Sequence, residues 1–256
     1  MYHTKRKKKN GNKILLVCFG IFAIVLGGYI YKTKSDTYSE TVQNYKEVQE
    51  EVADVIVPEG TNNKPKEEKV ADYKTTFKSM KERNSDYVGW INVPGTKINY
   101  PVVQGKDNDF YLTHNFDKQK DIGGGVFVSY NVSSPFLGKN TVIHSHHMKN
   151  GTMFGTLKRY KDKKFLEQNP YVYITTETGQ YKYKIFSVFV EEANKETYAV
   201  DFVDNLEFYR FANELKSKSA YDTGVAVSQD DKIIMLSTCS YEIENARLVV
   251  SAKLIK

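Results

Sequence analysis

Cysteine is nearly absent from this sequence. Only Cys18 and Cys239 occur in 256 residues, which excludes a disulfide-stapled scaffold. Cys18 lies in an uncharged run, so if that run is membrane-embedded, the rest of the chain has a single thiol and no possible internal bridge. Histidine is also scarce: His3, His114, His144, His146 and His147 are all there are. An excess of positive charge is missing from the body of the chain, although the whole carries +6. Six of the 37 basic residues (Lys5, Arg6, Lys7, Lys8, Lys9 and Lys13) fall in residues 1–13, which hold no acid, leaving 31 bases against 31 acids beyond them. An electroneutral body gives no footprint for nucleic acid. No internal repeat, no low-complexity tract beyond the basic leader and no strand–helix–strand rhythm is visible, which argues against solenoids and parallel α/β folds.

What is present begins with residues 14–31, eighteen uncharged residues from Ile14 to Tyr31. At about 1.5 Å per residue they reach roughly 27 Å, enough to span a bilayer. The basic leader places the N-terminus in the cytoplasm. No small-residue cleavage site follows, so a retained single-pass anchor is expected rather than a signal peptide. The domain reading is a cytoplasmic leader over 1–13, a transmembrane helix over 14–31, a helical stalk and linker over 32–69, and an extracytoplasmic domain over 70–256. Within the stalk, Tyr38, Val42, Tyr45, Val48, Val52 and Ile56 recur at helical spacing, and Pro58 to Lys66 breaks the pattern. Residues 67–84 resume it, with Val70, Tyr73, Phe77 and Met80 on one face.

From Tyr87 the period becomes that of strands. Two short strands flank Pro94-Gly95 within 88–103, and further candidates are 125–130, 140–145, 171–176, 181–191, 232–239 and 247–255. Helices are expected over 153–167 and 204–218, the second opened by Asp204 with Glu207 three residues on. Short strands with few helices predict a mainly β fold, a barrel with helical insertions.

Cys239 ends the apolar run Ile233-Ile-Met-Leu-Ser-Thr-Cys239, and Arg247 opens the next one after a polar loop, 240–246. Paired antiparallel, the two residues meet at adjacent strand ends. Three histidines cluster in Thr141-Val-Ile-His-Ser-His-His-Met148. His144 and His146 resemble the start of a metallohydrolase signature, but its Asp is missing and only His114 remains to complete a zinc site, so no metal or cofactor is expected. Cys, His and Arg suffice for acyl transfer: a thiolate attacks, an imidazolium protonates the leaving amine, and a cation holds the oxyanion. The bland alternatives are a strand-end arginine paired with Glu242 or Glu244, and a buried packing cysteine. Papain-like proteases place Cys before His, whereas here His146 precedes Cys239 by 93 residues.

These residues carry a family resemblance. Leu236-Ser-Thr-Cys239, then Tyr241-Glu242 and Arg247-Leu-Val-Val, resembles the T-L-S-T-C motif of class B sortases. Asn140-Thr-Val-Ile-His-Ser-His-His-Met-Lys-Asn-Gly-Thr-Met-Phe154 is similar to their N-x-[VI]-[IV]-Y-G-H-N-M-x-x-x-[ST]-M-F segment. Ile98-Asn-Tyr-Pro-Val-Val-Gln104 and Asp109-Phe-Tyr-Leu112 also look like class B, so the resemblance covers about 75–256. It implies an eight-stranded sortase-type β-barrel with N-terminal helices and a helix, 204–218, between the sixth and seventh strands. It implies a membrane-anchored cysteine transpeptidase that cleaves a C-terminal sorting signal after Thr and transfers the protein to a cell-wall peptide amine. Sorting-signal-bearing surface proteins and a peptidoglycan amine are the implied partners. His146, Cys239 and Arg247 are the implied catalytic residues, and Ser237 is either a substrate contact or a satisfied core hydroxyl. The sequence departs from the family pattern around the histidine: Tyr-Gly-His-Asn is replaced by His144-Ser-His-His147, and Met235 stands for the opening Thr. If the strand continues, His144 shares a face with His146 and competes for its role. A reading from another class is a non-catalytic, wall-facing binding module on the same barrel.

Overall fold

The structure, a computed structural model, describes residues 11–56, 66–192, 196–239 and 246–255. The basic leader up to residue 10, most of the expected linker and the 240–245 loop, with both carboxylates weighed as partners of Arg247, lie outside the described residues. The chain divides after Glu40 into two compact units. The first holds the start of helix α1 (Gly11–Val52), on which Phe19, Phe22, Ile24, Val25 and Tyr29 are exposed. Among the described residues no helix is long and apolar enough to cross a membrane. Several side chains of the 14–31 run are outside the described set.

The second unit begins at Thr41, inside the segment expected to be a stalk. There α1 buries Tyr45, Val48 and Val52, and Ile56 is buried just beyond it, at the helical spacing read from sequence. Tyr45 Oη donates to the Gly124 carbonyl at 2.7 Å. Helix α2 (Lys66–Arg83) follows, with Met80 buried and Phe77 5.0 Å from Tyr87, centroid to centroid.

Eight strands then close a barrel. They are β1 (Tyr87–Asn92), β2 (Asn99–Val103), β3 (Val126–Val128), β4 (Asn140–His144), β5 (Tyr171–Thr176), β6 (Gly179–Glu192), β7 (Ile233–Cys239) and β8 (Ala246–Leu254). Their order around the barrel is β1-β2-β3-β4-β7-β8-β6-β5, which is the architecture the sequence predicted. Two neighbouring pairs, β2/β3 and β4/β7, are parallel, and the others are antiparallel. A parallel pair needs a long crossover. The first crossover carries the short helix α3 (Phe110–Thr113) and the second carries everything from His144 to Lys232.

The expected 153–167 helix is not continuous. It resolves into a 3-10 turn, Leu157–Lys161, and helix α4 (Lys163–Gln168). The break falls at Asp162, whose side chain accepts from the Lys164 N–H at 2.9 Å and so restarts the helix as a cap. Helix α5 (Asn205–Ser217) lies between β6 and β7, where it was expected. Asp204 caps it by accepting from the Glu207 N–H at 2.8 Å, a contact worth about 1 kcal/mol.

Alternation along β7 assigns its two faces. Ile233 and Met235 pack with Val142, Phe189 and Val249 against Phe208, Ala212 and Leu215 of α5. Ile234, Leu236 and Thr238 are buried on the opposite face. Ser237 therefore continues the outward face, the one that α5 covers lower down. At its far end that face holds the candidate site.

Candidate active site

Strand register brings the candidate residues to one rim. In the parallel pair, His144 is the partner of Ser237. In the antiparallel pair, Cys239 is the partner of Arg247, as the sequence predicted. The segment beyond β4 stays tied to β7: the Ser145 N–H donates to the Ser237 carbonyl at 3.3 Å, and Thr238 Oγ1 donates to the Ser145 carbonyl at 2.8 Å. The chain bearing His146 and the strand end bearing Cys239 thus leave the barrel together. Of Cys239 the structure describes the backbone position.

The expectation that His144 and His146 share a strand face is corrected here. β4 ends at His144, so the alternation that would align them stops before His146. The two rings have different surroundings. His146 Nε2 donates to the Leu112 carbonyl at 2.6 Å. The His146 carbonyl in turn accepts from the Phe154 N–H at 2.9 Å, and His147 bridges to Met153. The Met-Phe pair of the motif therefore folds the loop back onto the histidine. Gly155 is required next to it, because a Cβ there would meet the Met148 carbonyl oxygen at 2.3 Å. The partner segment is fixed as well. The Gly125 N–H donates to the Tyr111 carbonyl at 2.7 Å, and Gly124, at φ +58°, lies so close that a Cβ would sit 2.5 Å from the same oxygen. Tyr111 is buried, and its hydroxyl donates to Asp86 at 2.8 Å and accepts from Asn84 Nδ2 at 3.0 Å.

His144 is enclosed. Its Nε2 is 2.7 Å from Ser129 Oγ, and its ring lies 5.5 Å from both Phe127 and Tyr198, edge-on to the latter. Burial, helped by the positive charge of Arg247, pushes its pKa down from 6.5 to about 4. It is a neutral ring at neutral pH. Ser237 is 2% exposed, and its hydroxyl pairs with Tyr198 Oη at 2.8 Å. It is a satisfied hydroxyl that reaches the site surface through Tyr198. Arg247 is partly exposed and donates from Nη1 to the Ala246 carbonyl at 3.2 Å. Tyr198, Ser129 and the Leu112 carbonyl were not legible in the sequence. Tyr198 ends an isolated 3-10 turn, Glu196–Tyr198, with no period to mark it. Among the described residues no group of three or more His, Cys, Asp or Glu side chains is placed to hold a metal ion.

The arrangement sets an imidazole, a thiol-bearing strand end and a guanidinium along one rim, which is the equipment of acyl transfer. Comparison with known proteins leads to the same chemistry. The family described as the sortase domain matches residues 91–255. The chain is 36% identical over 181 residues to sortase B of Listeria monocytogenes, covering 70% of this chain and 74% of that protein. It is 30% identical over 246 residues to sortase B of Staphylococcus aureus, covering 95% of each. A solved Staphylococcus aureus sortase B–substrate complex superposes with a TM-score of 0.75 at 30% identity, covering 85% of this chain and 97% of that one.

Proposed function

This chain belongs to the sortase family, as a class B transpeptidase, and from that premise we propose that it cleaves a C-terminal sorting signal after Thr and joins the protein to a cell-wall peptide amine. The Cys239 thiolate attacks the Thr carbonyl carbon, forming a C–S bond and an oxyanion. Arg247 holds that oxygen. Collapse breaks the C–N bond, and the His146 imidazolium gives its proton to the leaving amine. An acceptor amine then attacks the thioester, passes its proton to His146 and expels the thiolate. Ser237 contributes by holding Tyr198 beside the bound peptide. The observation that carries this reading is the pairing of Cys239 with Arg247 at the rim where the His146 loop emerges.

The test is a panel of sorting peptides incubated with residues 70–256 and with the full chain, read by mass spectrometry. The expected product is a thioester on Cys239 with one class of peptide, discharged by added amine. No adduct with any peptide in either form rejects the reading. We further propose that the enzyme is held by a single N-terminal span with its catalytic unit outside the cell. The charge-free run 14–31 behind a basic leader supports this, as do the exposed Phe19, Phe22, Ile24 and Val25 on α1. Removal of residues 1–31 is expected to move the protein from the membrane to the soluble fraction of expressing cells. A full-length chain that is already soluble rejects the anchor.

A further inference from the structure

Positions 239, 247 and 191 form one row across three neighbouring strands. Cys239 is the register partner of Arg247, and Arg247 is the register partner of Glu191 on β6. Directly opposed residues of an antiparallel pair project to the same face, with Cβ atoms about 5 Å apart. Glu191 thus occupies the ladder position opposite Arg247 on the same sheet face. It is well covered, with 17% side-chain exposure. One of its oxygens accepts from Thr197 Oγ1 and the other pairs with Lys218 Nζ at 3.0 Å. Lys218 also pairs with Glu214 at 2.9 Å, and its pKa is raised by these two carboxylates against the opposing effect of burial.

Both attachments lie within the β6/β7 connection. Glu191 stands where the chain leaves β6. Thr197 adjoins Tyr198, whose hydroxyl pairs with Ser237 and whose ring faces His144. Lys218 is the C-cap of α5. One carboxylate therefore ties the first turn of the connection to the C-terminal end of α5, at the strand that faces Arg247. An exposed ion pair would contribute little, but a shielded carboxylate with two donors and a cation opposite it holds a definite geometry.

We propose that Glu191 is a positioning residue for transpeptidation, fixing Arg247 and the Tyr198 turn over the reacting bond and setting the electrostatic balance at Cys239. The kinetic half of this rests on the sorting reaction proposed above, whereas the electrostatic half needs no substrate. Strands lie about 4.8 Å apart, so position 191 is roughly 10 Å from position 239. A unit charge at that separation moves a thiol pKa by about 0.3 to 1 unit. Glu191→Gln removes a negative charge and is expected to lower the pH midpoint of Cys239 alkylation by iodoacetamide. Lys218→Met removes a positive charge and is expected to raise it by a smaller amount. A merely structural loosening would not give opposite signs. With a peptide that acylates the wild type, Glu191→Gln is expected to lower kcat about tenfold with KM changed less than threefold. Glu191→Ala, which removes the acceptor for Thr197 as well, is expected to lose more.

Full-length Glu191→Gln, Glu191→Ala and Lys218→Met proteins are compared with wild type, with melting temperatures recorded. Midpoints moving in opposite directions, together with the fall in kcat, support the proposal. Unmoved midpoints, midpoints moving together, or wild-type kcat in Glu191→Gln overturn it. Should the Glu191 variants not fold, an unshifted midpoint in Lys218→Met overturns it and a raised one supports it. A wild type that forms no thioester, with midpoints still moving oppositely, rejects the sorting reaction and leaves the electrostatic placement standing.

Discussion

Cys239→Ala is expected to yield no thioester with any sorting peptide and to lower turnover on the order of 10⁴-fold or more, while the protein stays folded. The nucleophile is the only group that forms a bond to the acyl carbon, so nothing compensates for its loss. Stability is expected to change by no more than about 1 kcal/mol, the range for substitutions that remove little packing. The reason is local: position 239 is held by its ladder partner Arg247 and follows the buried Ser237 and Thr238, and alanine keeps the backbone and Cβ. Peptide binding is expected to survive, since the Tyr198–Ser237 contact does not involve residue 239. Equilibrium binding with intact-mass readout separates the outcomes. If wild type and Cys239→Ala retain peptide equally and neither turns it over, the barrel is a binding module. Turnover by Cys239→Ala ends the cysteine mechanism. Stoichiometric bound zinc would return the histidine cluster to consideration as a metal site.

The legible parts of the fold are those whose signal is local. α5 could be read from Asp204 and Glu207 because a cap is a four-residue contact. The pairing of Cys239 with Arg247 could be read because a short polar loop between two apolar runs forces an antiparallel neighbour. The faces of β7 could not. Residues 233–238 are all buried, since the barrel interior covers one side and α5 the other, and a strand covered twice has no alternation to read. The class B look of Ile98–Gln104 and Asp109–Leu112 was visible without a reason. The reasons are long-range. Tyr100 Oη accepts from the Met153 N–H at 3.0 Å, Gln104 Nε2 donates to the Ser129 and Val132 carbonyls, and the Leu112 carbonyl accepts a hydrogen bond from the His146 ring. All three motifs outside the cysteine strand thus meet around one loop. Their common purpose is tertiary, so no window of sequence displays it. Glu191 is harder still, because nothing in a strand of alternating lysines and apolar residues distinguishes a terminal carboxylate until Thr197 and Lys218 fold back onto it.

His146→Ala is expected to lower the rate of thioester formation by about 10² to 10⁴-fold, the usual range for a lost general acid–base group, and His144→Ala by less than tenfold. The two rings are two residues apart, yet their surroundings assign different work. A group that passes protons must reach the reacting atoms, and His146 lies in a loop held at one ring nitrogen by the Leu112 carbonyl. His144 packs against Phe127 and Tyr198, meets Ser129 Oγ with its Nε2, and has its pKa depressed to about 4. At neutral pH it has no proton to give as an acid. Its effect belongs to stability, and the sign follows from linkage. The unfolded chain takes up a proton at this residue near pH 6.5, which the folded chain refuses until about pH 4. Stability from this residue is therefore complete above about pH 6.5 and declines as pH falls through that window, by about 3 kcal/mol in all. Chemical denaturation of wild type between pH 7 and pH 4 should show the decline. His144→Phe, which keeps a ring and carries no proton, should flatten it and leave the acylation rate within tenfold of wild type. A His144→Phe enzyme as slow as His146→Ala would transfer the catalytic role to residue 144. An unchanged stability slope in that variant would mean that the folded protein protonates His144 as readily as the unfolded chain does.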